Sequence, residues 1–305
     1  MKAIVIDAFG GVDQLQLKEI DNPVLKDDRM IVEVYATSVN PADVKRRKGL
    51  FGGKLPMIVG NDIAGIVSEV GKDVTDFKSG DRVMANGAKA YAEFVSVNPE
   101  RAVKLDDSVS FLEAAALPLV GQTAYEAIVT RGEVKEGDRV LIHAGSGGVG
   151  STAVQIAKYL GAWVASTASG KNQELLQSLG VDRPINYEKE AFDEVLDEID
   201  LVFDTLGGSI QARSVNVLHP KGKLLSIAEK PDRQLSGEKE IDASFFSMRP
   251  TKEALEILHK WLTQGVISPV ISEVAPFSEE GIREAHELSE TGHAKGKIMI
   301  KMKSE

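Results

Sequence analysis

The first third of the chain alternates short apolar runs with Gly, Pro, Asp and Asn punctuation, at Ala3–Ile6, Met30–Thr37, Ile58–Val70, Arg82–Ala85 and Tyr91–Val97. A period of two is clear in Ile31-Val32-Glu33-Val34-Tyr35, as a half-buried strand requires. Gly71–Asp73 and Ser79–Asp81 supply turns. The pattern predicts a compact, mostly antiparallel β domain over 1–116. From about residue 117 the pattern changes. A helical stretch at Gly121–Thr130 precedes the strand Arg139–Ala144, a glycine-rich turn and a helix over Ser151–Leu160. Strand-like and helix-like runs then continue through Trp163–Thr167, Asn172–Leu179, Asp200–Asp204 and Lys223–Ala228. That rhythm predicts βαβ units, an α/β domain over 117–252 with a doubly wound parallel sheet. The last segment, 253–305, reads as an amphipathic helix with Ala254, Leu255, Leu258 and Leu262 on one face, a second helix at Ser278–Glu290 and a strand at Lys297–Met302.

Composition narrows what these domains do. A length of 305 residues suits two domains. A net charge of −10 argues against nucleic acid, and the basic run Lys45-Arg46-Arg47-Lys48 is too short to reverse that. No apolar run has membrane-spanning length, and Met1–Asp7 reads as a first strand rather than a signal peptide, so a cytoplasmic location is expected. The absence of cysteine excludes disulfides, a thiol nucleophile and thiolate zinc sites. The five histidines show no ligand spacing. The closest pair, His286 and His293, is read as surface residues on a helix and its exit loop, and no metal is expected.

Gly145-Ser146-Gly147-Gly148-Val149-Gly150 follows the apolar strand Val140-Leu141-Ile142 and opens a helix. Glycines there allow a tight turn and let backbone N–H groups approach a pyrophosphate at the positive end of the helix dipole. The second strand ends in Ala165-Ser166-Thr167-Ala168-Ser169-Gly170-Lys171, with no acid to hold a ribose 2′-hydroxyl. Ser169 and Lys171 instead suit a 2′-phosphate, which points to NADPH.

With these motifs the sequence resembles the medium-chain dehydrogenase/reductase superfamily, in its zinc-independent quinone oxidoreductase branch. The resemblance runs through Ser38-Val39-Asn40-Pro41-Ala42-Asp43, Leu55–Gly65, Gly121-Gln122-Thr123-Ala124, His143–Lys158, Val202-Phe203-Asp204 with Gly207-Gly208, and Gly296-Lys297. It implies a GroES-like β-barrel-type domain, a Rossmann domain and a return of the C-terminus to the first. Zinc-binding relatives carry a Cys near Asn40 and a His-Glu pair where Asn61-Asp62 stand, and Ala85–Tyr91 leaves no room for their cysteine-rich lobe.

Metal-free hydride transfer favours electron-poor acceptors, so the expected activity is NADPH-dependent reduction of a quinone or a conjugated enone, with the protein supplying orientation and a dry site. The alternative is an NADPH-binding structural or sensing module with little turnover.

The resemblance implies Asn40 as the polar group at nicotinamide and substrate carbonyl, supported by Asp43. Read from residues alone, Asn40-Pro41 equally starts a turn and Asp43 equally caps a helix. Further implied cofactor contacts are Thr123, Tyr187 and Lys295, beside Gly145, Gly147, Gly148, Val149, Gly150, Ser169 and Lys171. Lys45 and Phe51 stand where relatives often carry tyrosines, which leaves the proton source open. Tyr91 is read as a packing residue at a strand start. Relatives commonly pair across a sheet edge, so a homodimer through a strand near Lys223–Ala228 is expected.

Overall fold

The period-two runs near the N-terminus become strands in the computed structural model, which describes residues 1–232 and 240–304. In chain order the first elements are β1 (Lys2–Ile6), β2 (Gln16–Glu19), β3 (Met30–Val39), α1 (Pro41–Arg47), β4 (Met57–Ile58), β5 (Asp62–Val70), β6 (Arg82–Asn86), β7 (Phe94–Val97), β8 (Ala102–Lys104) and α2 (Phe111–Ala115). Then come α3 (Pro118–Tyr125), continued by a π-helical turn at Glu126–Arg131, β9 (Arg139–Ile142), α4 (Gly148–Tyr159), β10 (Trp163–Ala168), α5 (Gln173–Ser178) and β11 (Arg183–Asn186). Next are α6 (Phe192–Val195), β12 (Ile199–Asp204), α7 (Gly208–Val217), β13 (Leu218–Ser226) and β14 (Asp242–Phe245). The chain closes with α8 (Lys252–Thr263), β15 (Ile271–Pro276), α9 (Glu279–Glu290) and β16 (Lys297–Lys301).

These elements form two units, Met1–Leu119 with Pro250–Glu305, and Val120–Arg249. In the first unit a sheet runs β15-β16-β3-β5-β6-β8, with β7 also pairing β3, and a smaller sheet runs β2-β1-β4. Except for the parallel pair β15·β16, all these pairings are antiparallel. Alternate residues of the strands, among them Val5, Val32, Val34, Ile63, Val67, Val83 and Val95, make one apolar core. Helix α9 closes a second core with Ile282 and Ala285 against Ile4, Ile6, Ile298 and Ile300. C-terminal β16 lies beside N-terminal β3 in register, with Ile298 opposite Val39 and Lys301 opposite Ala36.

Two glycines explain local departures from the periodic pattern. The run Ile58–Val70 breaks into β4 and β5 because Gly60 takes φ +100°, open to glycine at little cost, and a Cβ there would meet the Tyr91 ring at 2.6 Å. Tyr91 consequently lies ahead of β7, its N–H donating to the Val59 carbonyl (3.1 Å). At Gly65 a Cβ would stand 2.0 Å from the Glu33 carbonyl, and the β3·β5 register shifts between Val34 and Ala36. Only glycine permits that backbone approach.

In the second unit the described strands form one parallel sheet, β11-β10-β9-β12-β13-β14. Counted from β9 this is the order 3-2-1-4-5-6 of the Rossmann fold, and it reverses between β9 and β12. Ligands bind such sheets at that reversal, beyond the carboxyl ends of the strands. Among the described strands β14 lies at one edge of this sheet, so the strand at Lys223–Ala228 lies one position inside it.

Candidate active site

Each unit contributes one chemically distinctive place. In the second unit it is the turn from β9 to α4. Its glycines have separable physical roles. A Cβ on Gly145 would lie 2.0 Å from Ser166 Oγ, and one on Gly150 2.2 Å from the Ala144 carbonyl oxygen. These two positions let the helix start pack tightly on the strand ends. Gly147 differs, since a Cβ there would meet nothing nearer than 3.4 Å. Gly147, Gly148 and Val149 keep partial exposure while Gly145 and Gly150 are buried. No side chain caps α4 at Gly147. The first-turn N–H groups of a helix lack intrahelical acceptors. An uncapped, glycine-lined N-terminus at the sheet reversal therefore fits a pyrophosphate on chemistry and on space.

The turn is held from behind by His143, fully buried between Thr167 Oγ1 (3.2 Å) and Ser214 Oγ (2.9 Å). Ser214 donates to the Ile210 carbonyl, so it accepts from His143 Nε2–H, and His143 Nδ1 accepts from Thr167. Burial drives the His143 pKa down to about 4. Thr167 Oγ1 also accepts the N–H of Ala144, the residue that turns the chain at φ +53°.

Parallel pairing of β10 with β11 sets Ala168 beside Asn186. The residues that follow them, Ser169–Lys171 and Tyr187–Glu188, therefore leave the sheet side by side. Ser169 is buried, Lys171 is exposed, and Tyr187 is 54% exposed. Their proximity also reveals a group the sequence reading missed, since Glu188 Oε2 accepts the Gly170 N–H at 2.8 Å. An acid absent from the end of the second strand is thus supplied from the end of the third. Thr123 is buried on α3. Lys295 belongs to the first unit, exposed in the turn before β16.

The first unit holds a buried polar cluster. Asn40 follows β3 and caps α1, and Asp43 reaches back to accept the Asn40 N–H at 2.9 Å. The capping role and membership of the cluster are one arrangement. Asp62 starts β5, fully buried, and its Oδ2 accepts from Ser38 Oγ, Asn40 Nδ2 (2.8 Å) and Lys297 Nζ (3.2 Å). Its Oδ1 accepts the Leu119 N–H at 2.7 Å. Lys297 Nζ also donates to Asn40 Oδ1 at 2.5 Å. Half-buried Asn61 donates to Asp43 Oδ1 at 2.5 Å. Burial first, and the nearby Asp62 charge second, raise the Asp43 pKa from 3.8 to about 6, against the Asn40 hydrogen bonds and Lys297.

Two further readings change here. His286 is not a surface residue. It is fully buried, on the same face of α9 as Ile282 and Ala285, between Arg47 Nη1 (3.3 Å) and the Tyr91 hydroxyl (3.1 Å). Its spacing from Ile282 along the helix was the available signal. Tyr91 does pack at a strand start, but its hydroxyl also lies 3.5 Å from Asp43 Oδ2. The cluster's lysine is Lys297, which the sequence reading named only within the Gly296-Lys297 motif and gave no role.

A zinc ion does not fit these residues. Among the described residues no group of three or more His, Cys, Asp or Glu is placed to hold a metal. Asn40 and Asp62 hold an ammonium group instead, and Asn61 donates to Asp43.

Residues 26–107 match the alcohol dehydrogenase GroES-like domain family, and residues 179–300 match the zinc-binding dehydrogenase family. An NADPH-dependent alkenal/one oxidoreductase of Arabidopsis thaliana, described as chloroplastic, is 35% identical over 98% of this chain and 79% of its own length. A quinone oxidoreductase structure from Coxiella burnetii aligns at a TM-score of 0.92 with 36% identity, covering 99% of both chains. The Escherichia coli quinone oxidoreductase complexed with NADPH aligns at 0.92 with 28% identity, covering 99% of this chain and 100% of that one.

The buried histidines predict an acid limit to stability. Burial, aided at His286 by Arg47, lowers the His286 pKa to about 3. Folded His143 and His286 therefore refuse protons that the unfolded chain accepts below 6.5. Stability is full above that value and falls towards pH 4 by about 1.4 kcal/mol per pH unit and histidine. Asp43, raised, opposes one of the two between 3.8 and 6, because its folded form holds a proton more tightly. Thermal melts should show Tm dropping below pH 6.5, with a shallower drop in His143→Gln. Equal slopes would show that His143 takes up no proton on unfolding.

Proposed function

The chain belongs to the quinone oxidoreductase branch of the medium-chain dehydrogenase/reductase superfamily, and on that footing we propose that it reduces a conjugated enone or a quinone with NADPH and no metal. The observation that carries the metal-free part is the Lys297 ammonium seated between Asn40 and Asp62. A fixed cation there disfavours a second, divalent one by Coulomb repulsion.

NADPH, when bound, supplies the hydride. The turn Gly145–Gly150 and the start of α4 hold its pyrophosphate. Thr123 and Lys295 are assigned to the cofactor on family resemblance. Ser169, Lys171 and Tyr187 receive the 2′-phosphate, while Glu188 opposes it. Asn40 and Asp43 serve the acceptor. Lys297 takes the Asn40 amide oxygen, which leaves the amide nitrogen as the donor. One of its hydrogens meets Asp62 at 2.8 Å, whereas its contacts to Asp43 and Ser38 are long, 3.3 and 3.5 Å. That second hydrogen, fixed in the amide plane and only weakly engaged, is the one left to donate to a carbonyl oxygen as negative charge builds on it.

The same proposal includes a cytoplasmic homodimer. No described helix is long and apolar enough to cross a membrane. The edge strand β14 ends in Phe245, 44% exposed, a feature suited to pairing with a second copy. A light-scattering mass of one chain at micromolar concentration would remove the dimer.

Purified protein should consume NADPH faster with either a simple quinone or a 2-enal than without acceptor, and Asn40→Ala should lower kcat/KM at least tenfold. Tight NADPH binding with no turnover on either acceptor would favour a binding module instead.

Cofactor choice gives a second test. Lys171→Ala should narrow the NADPH-over-NADH preference in kcat/KM by about tenfold, the worth of one charge-assisted hydrogen bond. Glu188→Gln should widen it several-fold. A ratio unchanged in both variants would remove this turn from the phosphate site.

A further inference from the structure

Beyond the groups assigned above, the first unit contains a line of buried hydrogen-bonding side chains that no part of the proposed reaction uses. Arg47, on α1, is fully buried, donating through Nε to the Gly10 carbonyl (3.2 Å) and through Nη2 to Glu290, which Lys48 also holds (2.6 Å). Its Nη1 faces His286 Nδ1 at 3.3 Å. His286 Nε2 faces the Tyr91 hydroxyl at 3.1 Å, and that hydroxyl lies 3.5 Å from Asp43 Oδ2.

The donor inventory permits one direction only. A guanidinium has donors and no acceptor. His286 Nδ1 must therefore accept, which leaves its single proton on Nε2 and the ring neutral. Nε2–H then donates to the Tyr91 oxygen. The Tyr91 proton cannot point back at a donor, so it turns to Asp43. We propose that Arg47, His286 and Tyr91 act as a one-way hydrogen-bond relay that positions the Asp43 carboxylate and, through it, the Asn40 amide.

Arg47 sets the tautomer, the tautomer orients the phenol, and the phenol supplies a donor that favours the charged carboxylate. The depressed pKa of His286, caused by burial and by Arg47, agrees with a neutral ring. All three are positioning residues, since they act on Asp43 and Asn40 and are assigned neither to the acceptor nor to the cofactor. The catalytic consequence rests on the reading under Proposed function, whereas the relay itself does not.

The charged and polar groups facing Asp43 come from every element around it. They are Asn40 at the head of α1, Asn61 and Asp62 at the head of β5, Tyr91 before β7 and Lys297 on β16. Behind Tyr91 stand His286 and Glu290 on α9, with Arg47 and Lys48.

The test is a carboxyl ¹³C NMR titration of Asp43 in the full chain, assigned with Asp43→Asn and repeated in Tyr91→Phe, His286→Leu and His286→Gln. Loss of one hydrogen bond to a carboxylate raises its midpoint by about one pH unit. Tyr91→Phe and His286→Leu should show that rise. His286→Gln should not, because a glutamine amide accepts from Arg47 and donates to Tyr91 as the neutral histidine does. A merely space-filling histidine would predict the reverse ranking, with leucine tolerated and glutamine no better. Equal midpoints in all variants, or a rise in His286→Gln matching that in His286→Leu, would overturn the relay. If wild type also reduces an acceptor, the pH profile of kcat should move with the NMR midpoint. Absence of turnover would count against the proposed function and leave the titration to decide the relay.

Discussion

The arrangement of the first unit depends on the burial of Asp62. A carboxylate removed from water costs several kcal/mol even after relaxation, unless charge and hydrogen bonds replace the lost hydration. Here an ammonium, an amide, a hydroxyl and a backbone N–H surround it. The ammonium comes from Lys297, 235 residues further along the chain. Pairing of β16 with β3 brings it there, so the end of the chain completes a site begun by Ser38 and Asn40. Replacing either charged partner alone leaves the other buried without its counter-charge, a larger penalty than loss of a surface ion pair.

The same constraint links packing to chemistry. Asn40 is oriented because Lys297 takes its oxygen and Asp62 its nitrogen. Asp43 sits in the same low-dielectric pocket without a cation in hydrogen-bond contact, so its pKa rises towards neutrality. In the second unit the turn is specialised by a different economy of space. Gly145 and Gly150 are required by neighbouring protein atoms, whereas Gly147 is left room. Backbone groups at a helix start then offer their partial positive charge where the sheet order reverses.

Much of this was legible in residue order. Amphipathic periods located α8 and α9, alternation located β3, and the glycine spacing after an apolar strand located the turn from β9 to α4. The missing acid at the end of β10 was legible as well. The acid that approaches the same turn, Glu188, was not, because it arrives from the next strand through the β10·β11 register. His286 was misread for a related reason. Its helix was evident, but a polar residue on an apolar stripe is counted as surface until its partners, Arg47 and Tyr91, are known.

The sequence by itself determined the antiparallel strands of the first part, the parallel sheet with its glycine-rich turn and the absence of thiolate ligands. Periodicity, turn geometry and residue chemistry act over a few positions and need no distant partner. Only the tertiary structure decided that Lys297 enters the cluster, that Asp43 and Asp62 share it, and that Tyr91 and His286 stand behind it. Those choices concern which buried polar group satisfies which. Satisfaction is settled by contacts between segments that lie from a few residues to well over two hundred apart in the chain.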